Sequence, residues 1–190
     1  YRAGVPIGDI AASMYAVQSI VMALFQAERT GEGDYLDVSM VDCLVQWLTV
    51  RAGYTWGAGE PYPRSGNSLE EFVPYGVWDT ADGYLAVVVV ADHHWERLCA
   101  VIDREDLADA ERFATAAARV ENREAVDDLL TETLAEAPAE EWFERFREHQ
   151  VPAAPILDTE EVWADEHVSQ RDLQTTVQDG DHEVPAIRYP

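Results

Sequence analysis

An apolar run of helical period, closed in by a Gly-Asp pair on one side and two glycines on the other, restricts this fold most. Within Ile10 to Glu28, Ile10, Met14, Val17, Val21, Leu24 and Phe25 recur at spacings of three and four, with Ile20 filling in. That period is helical. Pro6 disfavours helical backbone at Val5, so the chain is expected to enter extended. Gly8 permits a sharp turn, and Asp9 stands where an N-cap belongs. Gly31 and Gly33 are stop signals. The run does not read as a membrane span. Gln18 and Gln26 interrupt it, Glu28 and Arg29 close it, and its apolar core falls short of roughly 20 residues. Asp34 to Met40 alternates like a strand, and Ser39 or Asp42 suits the cap of a following helix, Val41 to Tyr54.

From pattern alone Asp9 has two readings. One is a helix cap, since Asp is among the preferred N-cap residues. The other is a nucleophile. A helix N-terminus favours negative charge by roughly 0.3–1 kcal/mol, and neighbouring free amides can stabilise an oxyanion. The two roles are compatible.

Charge narrows the partners. Thirteen basic residues, all Arg, face 37 acidic ones, a net charge of −24. Such a surface argues against nucleic acid and against anionic membranes. An acidic, lysine-free composition resembles adaptation to high salt, where counterions screen self-repulsion. Six Trp, eight Tyr and five Phe argue for a packed core over disorder. Cys43 and Cys99 fall in apolar helical stretches and read as small core residues, with no metal spacing. No signal peptide or transmembrane pattern is evident, so the expected location is the cytoplasm.

Gly57 to Pro74, rich in Gly and Pro, reads as a linker or functional loop. Trp47 and Trp56 are expected to pack. Tyr75–Thr80 and Tyr84–Val90 flank Asp82-Gly83, a strong hairpin signal. The nearly all-apolar second strand is expected to be buried on both faces. His93 and His94 are adjacent, so a helix splays them apart and no metal site is expected. Asp92 reads as the cap of a helix Trp95–Ile102. Short helices follow, one amphipathic over Glu124–Glu136 and one from Pro138 with Trp142, Phe143 and Phe146 on one face. Pro152 and Pro155 keep Val151–Leu157 extended. Asp158 or Thr159 caps Glu160–His167, with Glu161 as capping-box partner for Asp158. Thr175–Pro190 reads as a terminal hairpin around Gly180.

Gly8, Asp9, Arg29, Thr30, Gly31, Gly33, Asp37, Ser39, Met40 and Asp42 together closely resemble the signature of the family III CoA-transferases. These are the carnitine and bile-acid-inducible enzymes, with the α-methylacyl-CoA racemases as relatives. Glu28 and Ser13 depart from the usual family residues. Further similarity runs through Arg112, Phe113, Arg119, Asn122 and Arg123 (R-F-x5-R-x2-N-R) and through the Val151–Ile156 segment. RSGNSLEEFVPYG, with Arg64, Gly66, Asn67, Pro74 and Gly76, resembles the segment that carries a mobile glycine-rich loop. Where several transferases have consecutive glycines, only Gly66 stands here.

The resemblance implies an α/β fold. Residues 1–60 are expected to be the C-terminal part of a Rossmann-like CoA-binding domain. Residues 61–160 are expected to be a linker and a small α+β domain, and 161–190 a return to the large domain. Family members are about twice this length, so the chain is expected to be a fragment that lacks the nucleotide-binding half. The resemblance makes Asp9 the covalent nucleophile and Met40 and Gly66 CoA-contacting residues. It implies coenzyme A or acyl-CoA as substrate, a carboxylic acid as second substrate, no metal or prosthetic group, and an interlocked homodimer. The implied reaction is CoA transfer between two acids. The alternatives are a 2-methylacyl-CoA racemase, and a structural or dimerisation fragment without activity of its own.

Overall fold

In a computed structural model describing residues 3–188, the protein is mixed α/β. It divides into two units, residues 1–64 and 65–190.

The first unit is helical. α1 spans Ile7–Thr30, α2 Met40–Gln46 and α3 Thr49–Ala58. α1 starts three residues before the expected Ile10. Ile10 N–H donates to the Pro6 carbonyl (3.1 Å), and Pro6 itself occupies the N-cap position. Proline tolerates this place because its fixed φ suits a helix start and its missing N–H is not needed there. The stop signal behaves as expected: Gly31 is left-handed (φ 77°) and its N–H closes on the Ala27 carbonyl at 2.8 Å. The expected strand at 34–40 does not form. Its residues alternate, but a strand needs a partner for its backbone groups, and none is paired with them among the described residues. Ser39, not Asp42, caps α2 by accepting from the Asp42 N–H (3.3 Å). The expected long helix breaks at Trp47–Leu48 into α2 and α3.

α1 packs on α2, yet in this unit Ala11 and Cys43 alone are buried among the described residues. Val21, Leu24 and Phe25 stand 60% exposed or more. Trp47 and Trp56, expected to pack, are exposed as well. By length and composition α1 is apolar enough to cross a membrane. The expectation that its apolar core falls short of a span's length is thus corrected, on length and composition alone.

The second unit holds an antiparallel sheet of β1 (Tyr75–Asp79), β2 (Tyr84–Val88) and β3 (Ala153–Pro155), in the order β1-β2-β3. The expected hairpin forms: Thr80 N–H donates to Gly83 O at 2.9 Å. Asp82 in its turn accepts from the Ala139 N–H at 2.8 Å and so caps a distant helix. β2 is not buried on both faces. Leu85, Val87 and Val89 are sealed, while Tyr84 on the opposite face is 53% exposed. The sheet is covered on one side only, and period-2 alternation then divides even an all-apolar strand.

The cover comes from α4 (Asp92–Val101), α5 (Ala116–Glu121), α6 (Arg123–Leu134) and α7 (Ala139–Glu148). Trp95, Leu98, Val126, Leu130, Leu134, Trp142 and Phe146 interlock with Leu85 and Val87. Each such aliphatic side chain stabilises the unit by roughly 1.5–3 kcal/mol. The two most deeply buried indoles are satisfied, Trp95 Nε1 by Leu107 O (3.3 Å) and Trp142 Nε1 by Leu134 O (3.0 Å). Beyond β3, the capping box forms as expected: Asp158 Oδ1 accepts from the Glu160 and Glu161 amides, and Glu161 accepts from the Asp158 N–H at 2.7 Å. The expected Glu160–His167 helix divides at Asp165 into α8 (Thr159–Ala164) and α9 (Glu166–Gln170). β4 (Gln174–Asp179) and β5 (His182–Ile187) form the terminal hairpin around Gly180.

Candidate active site

Asp9 is the third residue of α1, inside its first turn and not its cap. Its side chain makes no capping hydrogen bond and is exposed. The first amides of a helix lack intrahelical acceptors, and among the described residues none is supplied for Gly8 or Asp9. A carboxylate at this place is favoured by the helix dipole and open to a reagent from solvent.

Met40 meets this turn. It is the first residue of α2, and its Sδ lies 3.1 Å from where a Cβ on Gly8 would stand, with Cγ at 3.4 Å and Leu44 Cδ1 at 3.6 Å. A side chain at position 8 would push the thioether away. The Gly-Asp and Ser-Met parts of the signature, far apart in sequence, therefore adjoin in space. In a double-mutant cycle of Gly8→Ala and Met40→Ala, followed by urea unfolding, we expect a coupling of at least about 0.5 kcal/mol. Additivity would show that Met40 does not lean on Gly8.

Gly66 belongs to the second unit. It is left-handed (φ 62°) in the Ser65–Ser68 turn, which is closed by Ser68 N–H and Oγ, both donating to Ser65 O at 3.1 and 2.7 Å. Nothing lies within 4 Å of the space beside it, so the backbone conformation alone calls for glycine. Below the turn is an open cleft of about 310 Å³, lined by Ser65, Asn67, Ser68, Tyr75, Asp127 and Thr131 among others. Burial holds the Asp127 carboxyl above the usual range, and the nearby Arg123 opposes that shift.

Two residues escape pattern reading. Arg119 is 1% exposed. Its Nε donates to Val73 O (3.0 Å), Nη1 to Phe113 O (2.9 Å) and Nη2 to Asp92 Oδ1 (2.8 Å). Asp92 is thus the first residue of α4 and an ion-pair partner, not a cap. Arg123 donates through Nη2 to the carbonyls of Leu69, Glu70 and Phe72. The R-F-x5-R-x2-N-R run held the signal, but helical period assigns arginine to the surface.

No group able to hold a metal is found among the described residues. His93 and His94 stack edge to face at 4.2 Å. Burial, then the neighbouring His93 and Arg97, lowers the His94 pKa. Burial pushes the Cys99 thiol up to about 12, so it stays protonated and inert.

The family model for CoA-transferase family III matches residues 1–190. The chain belongs to this family. The succinyl-CoA:mesaconate CoA-transferase of Haloarcula hispanica is 34% identical over 177 residues, which is 93% of this chain and 44% of that protein. The succinate–glutarate CoA-transferase of Agrobacterium fabrum is 35% identical over 196 residues, 100% of this chain and 48% of that protein. The crystal structure of a CaiB/BaiF family protein from Brucella suis superposes with a TM-score of 0.87 at 31% identity, over 100% of this chain and 49% of that one. This family III chain therefore spans about half the length of the relatives it matches.

Proposed function

We propose that the full-length protein transfers CoA between an acyl-CoA and a carboxylic acid, with Asp9 as the covalent nucleophile. The observation that carries this reading is the exposed Asp9 carboxylate on the first turn of α1, with Met40 seated on the adjacent Gly8. An Asp9 oxygen attacks the thioester carbonyl, the C–S bond breaks, and CoA leaves as thiolate. The product is a mixed aspartyl-acyl anhydride. The thiolate then attacks the aspartyl carbonyl and expels the donor acid, leaving an aspartyl-CoA thioester. The acceptor carboxylate attacks that thioester, the C–S bond breaks, CoA leaves again as thiolate, and a second anhydride remains. Attack of the thiolate on the acceptor's carbonyl yields the new acyl-CoA and frees Asp9. Covalent catalysis divides one difficult exchange into easier steps.

In this reading Met40 and Gly66 contact the CoA ester, and no prosthetic group takes part. Residues 1–60 belong to a large CoA-binding domain, 61–160 form the linker and small domain, and 161–190 return to the large one. The apolar sides of α1 call for cover by protein, which an interlocked cytoplasmic homodimer provides without any membrane. Both relatives' names pair succinate or its CoA ester with a second diacid, so a short dicarboxylate is the proposed acceptor. Full-length protein given succinyl-CoA and mesaconate or glutarate should produce the acceptor's CoA ester. Exchange of an α-hydrogen of 2-methylacyl-CoA for deuterium, with no transfer, would instead establish a racemase. The acidic surface also supports adaptation to salt: melting temperature should rise in molar KCl, and a salt-independent value would contradict that part.

A further inference from the structure

We infer that the free edge of β1 is a docking site for an extended, basic segment of another protein, which joins the sheet as a fourth strand. The site lies wholly within the second unit and does not depend on the reaction.

The edge follows from the register of the hairpin. Thr80 N–H donates to Gly83 O at 2.9 Å, and Val89 N–H donates to Pro74 O at 2.8 Å. Hydrogen-bonded pairs alternate along an antiparallel ladder, so Gly76 and Trp78 bond to β2, opposite Val87 and Leu85. The N–H and C=O groups of Tyr75, Val77 and Asp79 then point away from β2. Among the described residues nothing bonds to them. β1 is an outer strand, and its pairing runs unbroken over all five residues, with no bulge and no proline. Bulges, prolines and short strands are the usual means of blunting an edge. The opposite edge does use them: β3 pairs over three residues only and ends in Pro155.

A cleft of about 310 Å³ adjoins this edge. All five β1 residues line it, together with the Ser65–Ser68 turn and with Asp127 and Thr131 of α6. A walled cleft suits one strand, which needs about 4.8 Å beside β1, better than the whole sheet of a second copy. Charge makes the same choice. Asp79 and Asp127 both line the cleft, and neither is ion-paired among the described residues. Two copies of β1 paired about a twofold axis bring these carboxylates towards their own copies. A strand with Arg or Lys at alternate positions brings opposite charge instead. In docking of this kind main-chain bonds supply affinity and side chains select the partner.

The test offers full-length protein a probe of this chemistry, fluorophore-labelled acetyl-Arg-Val-Arg-Thr-Arg-Val-amide, in the lowest KCl concentration that keeps the protein folded. Anisotropy should show saturable binding, and the amides of Val77 and Asp79 should exchange about tenfold more slowly in the complex. A strand pairs through one edge. Methylating the peptide's backbone nitrogens along one edge should therefore weaken binding about tenfold, and the same change along the other edge should leave it intact. Asp79→Asn combined with Asp127→Asn should weaken binding several-fold, and a peptide with Glu in place of Arg should not bind. Absence of binding, equal effects of the two methylations, protection confined to amides outside 75–79, or unchanged affinity in the double variant would each overturn the inference. So would amides 77 and 79 already protected in the free protein, which would show that a second copy or the rest of the full-length chain covers the edge.

Discussion

Full-length protein carrying Asp9→Ala is expected to lose CoA transfer by about four orders of magnitude or more, the scale seen when a covalent nucleophile is removed. Its folding should barely change. Asp9 is exposed and accepts no capping hydrogen bond, so only its favourable place on the helix dipole is lost, roughly 0.3–1 kcal/mol. Asp9→Asn sharpens the contrast, because the amide keeps the shape and cannot attack a thioester. Near-normal turnover in either variant, with a small loss of stability, would return Asp9 to an ordinary helix residue. Steady-state transfer assays beside urea unfolding separate the two outcomes.

The second large effect concerns stability. Arg119→Met is expected to destabilise the second unit by about 2–6 kcal/mol. The buried carbonyls of Val73 and Phe113 lose their donor, and each unsatisfied group costs about 1–3 kcal/mol. The guanidinium also lies 5.4 Å from the Trp95 ring centre, a contact the variant forfeits. Asp92→Asn should behave differently. The Asp92 side chain is 56% exposed and asparagine keeps an oxygen acceptor at the same place, so this variant should lose less than Arg119→Met even though the buried guanidinium loses its countercharge. Equal losses in the two variants would show that the ion pair, and not the carbonyl bonds, carries the energy. Denaturant midpoints at constant slope give the comparison.

Local chemistry was legible in the sequence wherever a residue acts on its own neighbours. The Asp158–Glu161 capping box, the Asp82-Gly83 turn, the left-handed Gly31 and the extended chain at β3 (Ala153–Pro155) all follow from side chains within a few positions. The signature residues Asp9 and Met40 stood out in the sequence, while the approach of Met40 to Gly8 needed the fold. What failed depends on distant partners. Residues 34–40 alternate like a strand, but alternation supplies no neighbouring ladder. The β2 run looks buried on both faces because it is apolar throughout, yet helices cover one face only. Asp92 carries the local mark of a cap, and a guanidinium 27 residues away claims it instead. Asp9 looked like a cap for a simpler reason: the proline three residues earlier starts the helix without one.

Mass spectrometry of full-length protein mixed with succinyl-CoA tests the covalent role of Asp9 most directly. Trypsin should release residues 3–29, a peptide whose carboxylate side chains are Asp9 and Glu28. Added mass on that peptide, located to Asp9 by fragmentation and lost when acceptor acid is supplied, is the expected result. Sustained CoA transfer with Asp9 unmodified, or with the added mass on Glu28, would contradict it.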